Sequence, residues 1–221
     1  MAFGPIMRFD VGDFKIELAP IAKEDMGTFI ENGGVQTHTV TQYLSISAPV
    51  LEDEYAWYDK VRAQEDSVIW GIWDITDGRK LIGSSGLHSI DGEHFRQATS
   101  GSLIFDTSYW RKGIARSAHK ARTWYGFTQL GLTRIKSSVL VDNPASQRAL
   151  ERSGYSKVYV ERNEKFVNGH HVDKLCLECL NPDPDFWDRW WGKTRPTKLS
   201  LSARARTNEA LAWAKDNVKL V

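Results

Sequence analysis

Cysteine is scarce in this chain, with two in 221 residues. Two thiols do not make a disulfide framework, so stability has to come from an apolar core, and a cytoplasmic setting is expected. Long hydrophobic runs are also missing. The longest lies around Val68–Trp73, far short of the roughly 20 apolar residues a membrane helix needs. The first residues, Met1 to Pro5, show no basic stretch followed by an apolar core, so no signal peptide is expected. Neither sign of charge dominates, because 29 Lys and Arg face 28 Asp and Glu for a net charge of +1. That balance gives no argument for nucleic-acid binding by the chain as a whole. Internal repeats and low-complexity tracts are absent. What is present is the composition of an ordinary soluble domain, 41% apolar and 26% charged.

The hydrophobic period changes several times along the chain. Residues 14–18 alternate like a short half-buried strand that Pro20 ends. Residues 23–31 read as a short helix closed by Gly33-Gly34. Residues 50–65 read as a better helix, with Leu51, Tyr55, Tyr58 and Val61 at helical spacing. Strands are predicted over 67–75 and 80–87, joined by Thr76-Asp77-Gly78, where Asp-Gly suits a tight hairpin. A turn at Asp91-Gly92 precedes a strand over 99–106. Residues 113–130 then repeat as a helix, with Ile114, Ala118, Ala121 and Tyr125 roughly on one face, and Gly131-Leu132 supplies a left-handed cap with its apolar contact. A strand (134–141), a helix (145–153), a strand (155–162), an Asn168-Gly169 turn and a last strand (171–180) follow. The fold class is α/β: a mixed sheet with antiparallel hairpins and helical crossovers.

Asn181-Pro182-Asp183-Pro184 marks a boundary, since two prolines cannot continue a central strand. We therefore expect a main domain over 1–180 and an extension over 181–221 with a helix near 202–219. The extension is mildly basic, and between Arg189 and Arg206 it interleaves Lys and Arg with Trp without any acid. Basic residues among aromatics suit RNA, DNA or a ribosome. The competing readings are a solvated helix packed on the main domain and an oligomer contact such as a homodimer.

The chemistry concentrates in Phe105-Asp-Thr-Ser-Tyr-Trp110-Arg111-Lys112-Gly113-Ile114-Ala115-Arg116. This is a strand, a loop rich in donors, a glycine at a helix mouth and a long helix. Unpaired amides at a helix start, reinforced by the helix dipole, attract anions. Gly113 and the small Ala115 let a phosphate approach the main chain, while Arg111, Lys112 and Arg116 add positive charge. The run from Tyr109 to Ala115 resembles the acyl-CoA pyrophosphate loop of the GNAT acetyltransferase superfamily, and is most similar to the branch of ribosomal-protein N-terminal (alanine) acetyltransferases, where a Trp often opens the loop. The resemblance continues in order through Gly131-Leu132-Thr133-Arg134-Ile135, Asn143-Pro-Ala-Ser146, Glu151-Arg-Ser-Gly154-Tyr155 and Asn168-Gly169-His-His-Val-Asp173. It is clear over about 80 residues.

That resemblance implies a GNAT-like fold, acetyl-CoA as cofactor and an amine as acceptor. It implies a gap between the strands over 99–106 and 134–141 that takes the pantetheine arm, with main-chain bonds to it near Ile104 and Phe105. Trp110, Arg111, Lys112, Gly113, Ile114, Ala115 and Arg116 would hold the pyrophosphate and Asn143 the pantetheine. Ser146 would lie near the thioester sulfur as proton donor to the thiolate. Read from the residues alone, Asn-Pro opens a turn and Ser146 caps a helix; capping and proton donation can coexist.

Two positions depart from the family. Leu150 stands where many relatives carry a tyrosine acid, and Ser100 where many carry a glutamate. Ser146 is then the candidate acid, and His88, at a strand end, is the residual candidate base against a plain structural role. His94, Asp91 and Glu93 are placed to line a substrate mouth or simply to form solvated loop. His119 reads as packing, His170-His171 as a hairpin turn rather than a metal site, and Cys176 and Cys179 as core or edge thiols. Tyr55, Trp57, Tyr58, Trp70 and Trp73 read as core, with substrate contact as the alternative.

A missing strong base bears on the acceptor. Deprotonating a backbone α-amine at neutral pH costs about 3.5 kcal/mol less than deprotonating a lysine side chain. The sequence therefore points to an acetyl-CoA-dependent N-acetyltransferase acting by direct attack on a protein N-terminal α-amine or a small-molecule amine. The alternatives are an acyl-CoA-binding module without turnover, or an acetyltransferase directed to nucleic acid by its basic tail.

Overall fold

A computed structural model describes residues 2–31, 34–44 and 49–221. Its chain contacts divide it into two compact units, the first made of Met1–His88, Gly101–Ala118 and Val218–Val221, the second of Ser89–Ser100 and His119–Asn217. Nine strands and seven α-helices occur among the described residues, giving the mixed α/β architecture that the alternating periods predict.

In the first unit the strands run in the order β9-β1-β2-β3-β4-β5. They are β1 (Met7–Val11), β2 (Phe14–Ala19), β3 (Val68–Asp74), β4 (Lys80–Asp91), the latter part of β5 (Gln97–Ile104) and β9 (Lys219–Leu220). The β1–β2, β2–β3, β3–β4 and β1–β9 pairs have antiparallel or hairpin geometry where their register is given. Helices α1 (Met26–Ile30), α2 (His38–Thr41) and α3 (Leu51–Arg62) belong to this unit. Phe29 of α1 and Val61 of α3 join Ile69, Trp73, Leu81 and Phe105 of the strands in one apolar cluster. The aromatics sort as expected of a core: Trp70 and Trp73 are buried, while Tyr55, Trp57 and Tyr58 pack partly buried against the cluster.

The second unit orders its strands β5-β6-β8-β7, with β6 (Arg134–Leu140), β7 (Ser156–Val167) and β8 (His170–Leu180). The β5–β6 pair is parallel and registers Gln97↔Arg134, Ala98↔Ile135 and Thr99↔Lys136, at the start of both strands. Parallel neighbours need a long crossover, supplied by α4 (Ile114–Thr128). That helix closes on Gly131 at φ +61, with Leu132 N–H bonded back to Gly126 O at 3.0 Å and Leu132 fully buried. This is the glycine cap with its apolar contact. Asn168 and Gly169 both take positive φ, 52° and 81°, which makes the β7–β8 turn a tight hairpin.

Local pattern and structure differ mainly at the ends. The first helix is a 3-10 turn (Lys23–Asp25) running into α1, and Gly33 lies outside the described residues. Strand β1 and helices α2 and α6 (Pro184–Trp191) were not expected. Helix α7 (Lys198–Asn217) starts four residues earlier than its pattern suggested and stops short of Lys219, because residues 219–220 form β9 against β1 instead. Within the second unit α7 is tied down closely: Arg206 Nε donates to Glu151 O at 2.8 Å, and a Cβ on Gly154 would meet Thr207 Oγ1 at 2.1 Å. Glycine at 154, with φ +97, is what lets this helix approach. No helix among the described residues is long and apolar enough to cross a membrane.

Candidate functional site

The loop over 105–116 lies in the first unit, and each of its turns has an identifiable cause. Phe105 N–H donates to Ile82 O at 3.1 Å, which ends β5 against β4. Asp106 then accepts from Ser108 N (3.0 Å) and Ser108 Oγ (2.6 Å) and from Lys80 Nζ at 2.7 Å. Burial alone would raise the Asp106 carboxyl; Lys80 and the Ser108 donors outweigh it and hold the group below its usual value. Tyr109 Oη donates to Asp74 at 2.9 Å, and burial together with that carboxylate pushes the phenol up to about 12. The Trp110 indole N–H donates to Ile104 O at 2.8 Å, so the tryptophan that opens the loop also staples it to the strand it left.

After that staple the chain turns left-handed at Arg111 (φ +62) and again at Gly113 (φ +87). The first main-chain bond of α4 runs from Ser117 N to Gly113 O at 3.1 Å. The amides of Ile114, Ala115 and Arg116 therefore lie ahead of the helical ladder, where the dipole is positive. Arg111 and Lys112 are exposed beside them. The main-chain groups near Ile104 and Phe105 are in part engaged already, by Trp110 and by Ile82.

Asn143 and Ser146 belong to the second unit. Asn143, not Ser146, is the N-cap of α5 (Pro144–Glu151), its Oδ1 accepting from Ser146 N at 3.1 Å. Ser146 sits in the first turn, half-buried, and its hydroxyl makes no hydrogen bond to a described residue, so the capping duty falls elsewhere. Leu150 is buried core. Ser100 is buried as well, with Tyr155 Oη 3.4 Å from its hydroxyl, so this position faces the interior of the unit.

His88 lies in the first unit across two glycines. Its Nε2 would be 2.9 Å from a Cβ on Gly86 and 3.5 Å from one on Gly101. Ile69 pairs with Gly86 and Gly71 with Ser84, and paired residues share a face. Ser84, Gly86 and His88 therefore lie on the face whose Ile69, Trp73 and Leu81 cluster with α1 and α3. The other histidines take bland places. His119 is fully enclosed with Arg122 Nη2 at 2.9 Å from Nδ1, and burial, with that guanidinium, holds it neutral. His94 is an exposed neighbour of Asp91 at 3.8 Å. His170 reaches Asp142 at 3.3 Å, and His171 packs edge-on to Phe166. Cys176 and Cys179 are both buried free thiols.

One group escaped the sequence reading. Glu54 is 8% exposed and sits on the buried stripe of α3, three residues after Leu51, four before Tyr58 and seven before Val61. It lies within an acidic run, Glu52-Asp53-Glu54, which reads as a solvated helix start. The signal was its phase on the apolar stripe. Burial, then the neighbouring Asp53, raises its carboxyl above the usual value.

The family model for the acetyltransferase (GNAT) domain matches residues 15–156. The chain belongs to that family. Relatives in Bacillus subtilis include the uncharacterized N-acetyltransferase YoaA, 33% identical over 119 residues that make up 54% of this chain and 66% of that protein. The probable N-acetyltransferase YjcK is 31% identical over 58% of this chain and 70% of its own length. Among solved structures, spermidine N-acetyltransferase from Vibrio cholerae in complex with CoA and spermine covers 75% of this chain and 95% of its own, with TM-score 0.66 and 23% identity. Mycobacterium smegmatis RimJ in complex with CoA-disulfide covers 99% and 97%, with TM-score 0.69 and 16% identity. These structural likenesses establish the shared fold. The protein thus carries a GNAT acetyltransferase domain. The amides and cations at its helix-mouth loop suit an anionic group such as a diphosphate.

Proposed function

We propose that this GNAT protein transfers the acetyl group of acetyl-CoA directly to a primary amine, with an α-amine the favoured acceptor. The observation that carries the donor half is the loop 110–116, where Gly113 at φ +87 presents the first amides of α4 beside Arg111 and Lys112. These groups bind the pyrophosphate, and the pantetheine pairs beside the engaged bonds of Ile104 and Phe105. Asn143, whose Oδ1 is spent on the cap, keeps its NH2 group for a carbonyl of the arm. Ser146, with an uncommitted hydroxyl, gives a proton to the departing thiolate. No carboxylate stands at position 100, so the family's usual base is missing, and a low-pKa amine is the acceptor that needs least help. RimJ's likeness in fold and the polyamine bound by the Vibrio cholerae neighbour put both N-terminal peptides and spermidine in the acceptor panel.

CoA at about 100 times its Kd should stabilise the protein by about 2.7 kcal/mol, read as a rise in melting temperature. Gly113→Val, which cannot adopt that φ without strain, should remove the shift while the free protein stays folded. Thiol release from acetyl-CoA should then depend on added amine. An absent CoA shift would overturn the reading, and faster turnover of lysine side chains than of free N-termini would overturn the α-amine preference.

The basic tail does not favour the nucleic-acid alternative. Arg204 donates to Pro182 O at 2.7 Å and stacks 4.7 Å above Trp187, and Arg206 bonds Glu151 O. Two of its cations are thus employed inside the second unit.

A further inference from the structure

Glu54 carries an inference that the acetyl-transfer reading does not contain. Its carboxylate makes no side-chain hydrogen bond or ion pair with any described residue, yet nine-tenths of the residue is buried. Its oxygens are nevertheless not sealed off, since none is among the solvent-inaccessible side-chain atoms left unsatisfied. A carboxylate that is largely buried, without a partner among the described residues and still touched by solvent is an expensive arrangement to keep for stability alone.

Its neighbours along the helix face are apolar and aromatic. On α3 it lies between Leu51, Tyr55, Tyr58 and Val61, which pack against the first unit's cluster. The sheet face on which that helix packs carries the small residues Gly71, Ser84, Gly86 and Gly101 beside Ile69, Trp73 and Leu81, with His88 lying across Gly86 and Gly101. The helix start does not call for this acid either. Glu52 and Asp53 already supply first-turn charge, and Asp53 accepts from Val50 N at 3.0 Å. Nor does a nearby cation answer it. Lys23, in the 3-10 turn before α1, is held by Asp59 at 2.6 Å, and α1 itself contributes Met, Gly, Thr, Phe and Ile only.

We infer that Glu54 is the anionic subsite that receives the acceptor's ammonium group, with the aromatic rings of α3 flanking it. The ligand class is a cationic primary amine carried on an apolar stem, bound before it loses its proton. Carboxylate and aromatic faces together are a receptor for ammonium ions. The inference rests on the protein being an amine acetyltransferase and adds which residue recognises the amine. In the full reaction the bound R–NH3+ gives one proton to solvent. The free amine then forms the N–C bond as the C–S bond breaks, and the sulfur leaves with the electron pair. A second amine proton is lost as the amide forms, and the thiolate is protonated, so one proton is released overall.

The test compares wild type, Glu54→Gln and Glu54→Asp in the full-length protein. Acceptors are a free N-terminal peptide and spermidine, and calorimetric titration of each amine onto the CoA complex is run beside turnover. Glu54→Gln should raise the amine KM or Kd at least tenfold while leaving the KM for acetyl-CoA within twofold. Glu54→Asp should recover part of the loss. Melting curves establish that both variants are folded. Unchanged amine affinity in a folded Glu54→Gln protein would overturn the inference even where wild type is active. Wild type that binds CoA but neither binds nor acetylates an amine would overturn the acceptor reading and this subsite with it. Loss of CoA affinity along with amine affinity would show a structural role for Glu54 and overturn the subsite.

Discussion

On strand β2 the buried carboxylate of Glu17 is met by two cations, whereas on helix α3 the buried carboxylate of Glu54 meets none among the described residues. Glu17 is 4% exposed and Glu54 8%. Arg8 meets the first at 2.8 Å and Arg79 at 3.3 Å, and the Arg79 guanidinium also lies 3.6 Å over the Trp73 ring. Among the described residues nothing comparable meets the second. The difference teaches how to read a buried acid. A carboxylate kept for the fold brings its counter-ions with it, so desolvation is offset inside the protein. A carboxylate kept for a ligand leaves that compensation to the ligand.

The comparison can be broken in three ways. The largest expected difference is in recognition: Glu54→Gln should weaken the amine at least tenfold, and Glu17→Gln should leave amine and acetyl-CoA KM within twofold. Equal effects from both would end the distinction. Stability should move in opposite directions. Glu17→Gln strands two half-exposed arginines and should cost about 1–2 kcal/mol, lowering the melting temperature by about 3–6 °C for a chain of this size. Glu54→Gln removes an uncompensated charge and should gain about 1 kcal/mol at pH 7, a rise of about 2–4 °C. A drop in its melting temperature would mean a partner for Glu54.

The smallest effect is the pH dependence of that gain. Because the folded protein holds the Glu54 carboxyl above its usual value, the folded state binds its proton more tightly than the unfolded chain does. The penalty is absent below the ordinary carboxylate range and appears as pH rises through the raised value. The advantage of Glu54→Gln over wild type should therefore be full near neutrality and vanish in acid. Melting curves at a series of pH values check this, and a pH-independent difference would contradict it.

Much of the fold was legible because its local signals agree. Asn168-Gly169 and Gly131 demand positive φ, and both find it. The α4 stripe and the strand alternations show up at nearly their observed bounds. Strand β1 was missed although Met7, Phe9 and Val11 alternate with polar residues, since five residues beside an unread partner are a weak pattern. The loop at 110–116 was legible as a motif, yet the tryptophan's bond to Ile104 O required the strand and loop to be folded. Position 100 looked like a vacant catalytic place, but its hydroxyl faces Tyr155, which spacing along one strand did not reveal.

By itself the sequence determined the family, the glycine-bearing turn ahead of α4 and most of the order of strands and helices, because glycine conformations, turn pairs and hydrophobic periods are properties of neighbours along the chain. Tertiary structure alone decided that residues 219–220 pair with β1, that Gly154 makes room for Thr207, and that Glu17 is answered by two arginines while no described cation answers Glu54. Those outcomes depend on which distant groups share a small volume of low dielectric, and no local pattern encodes that company.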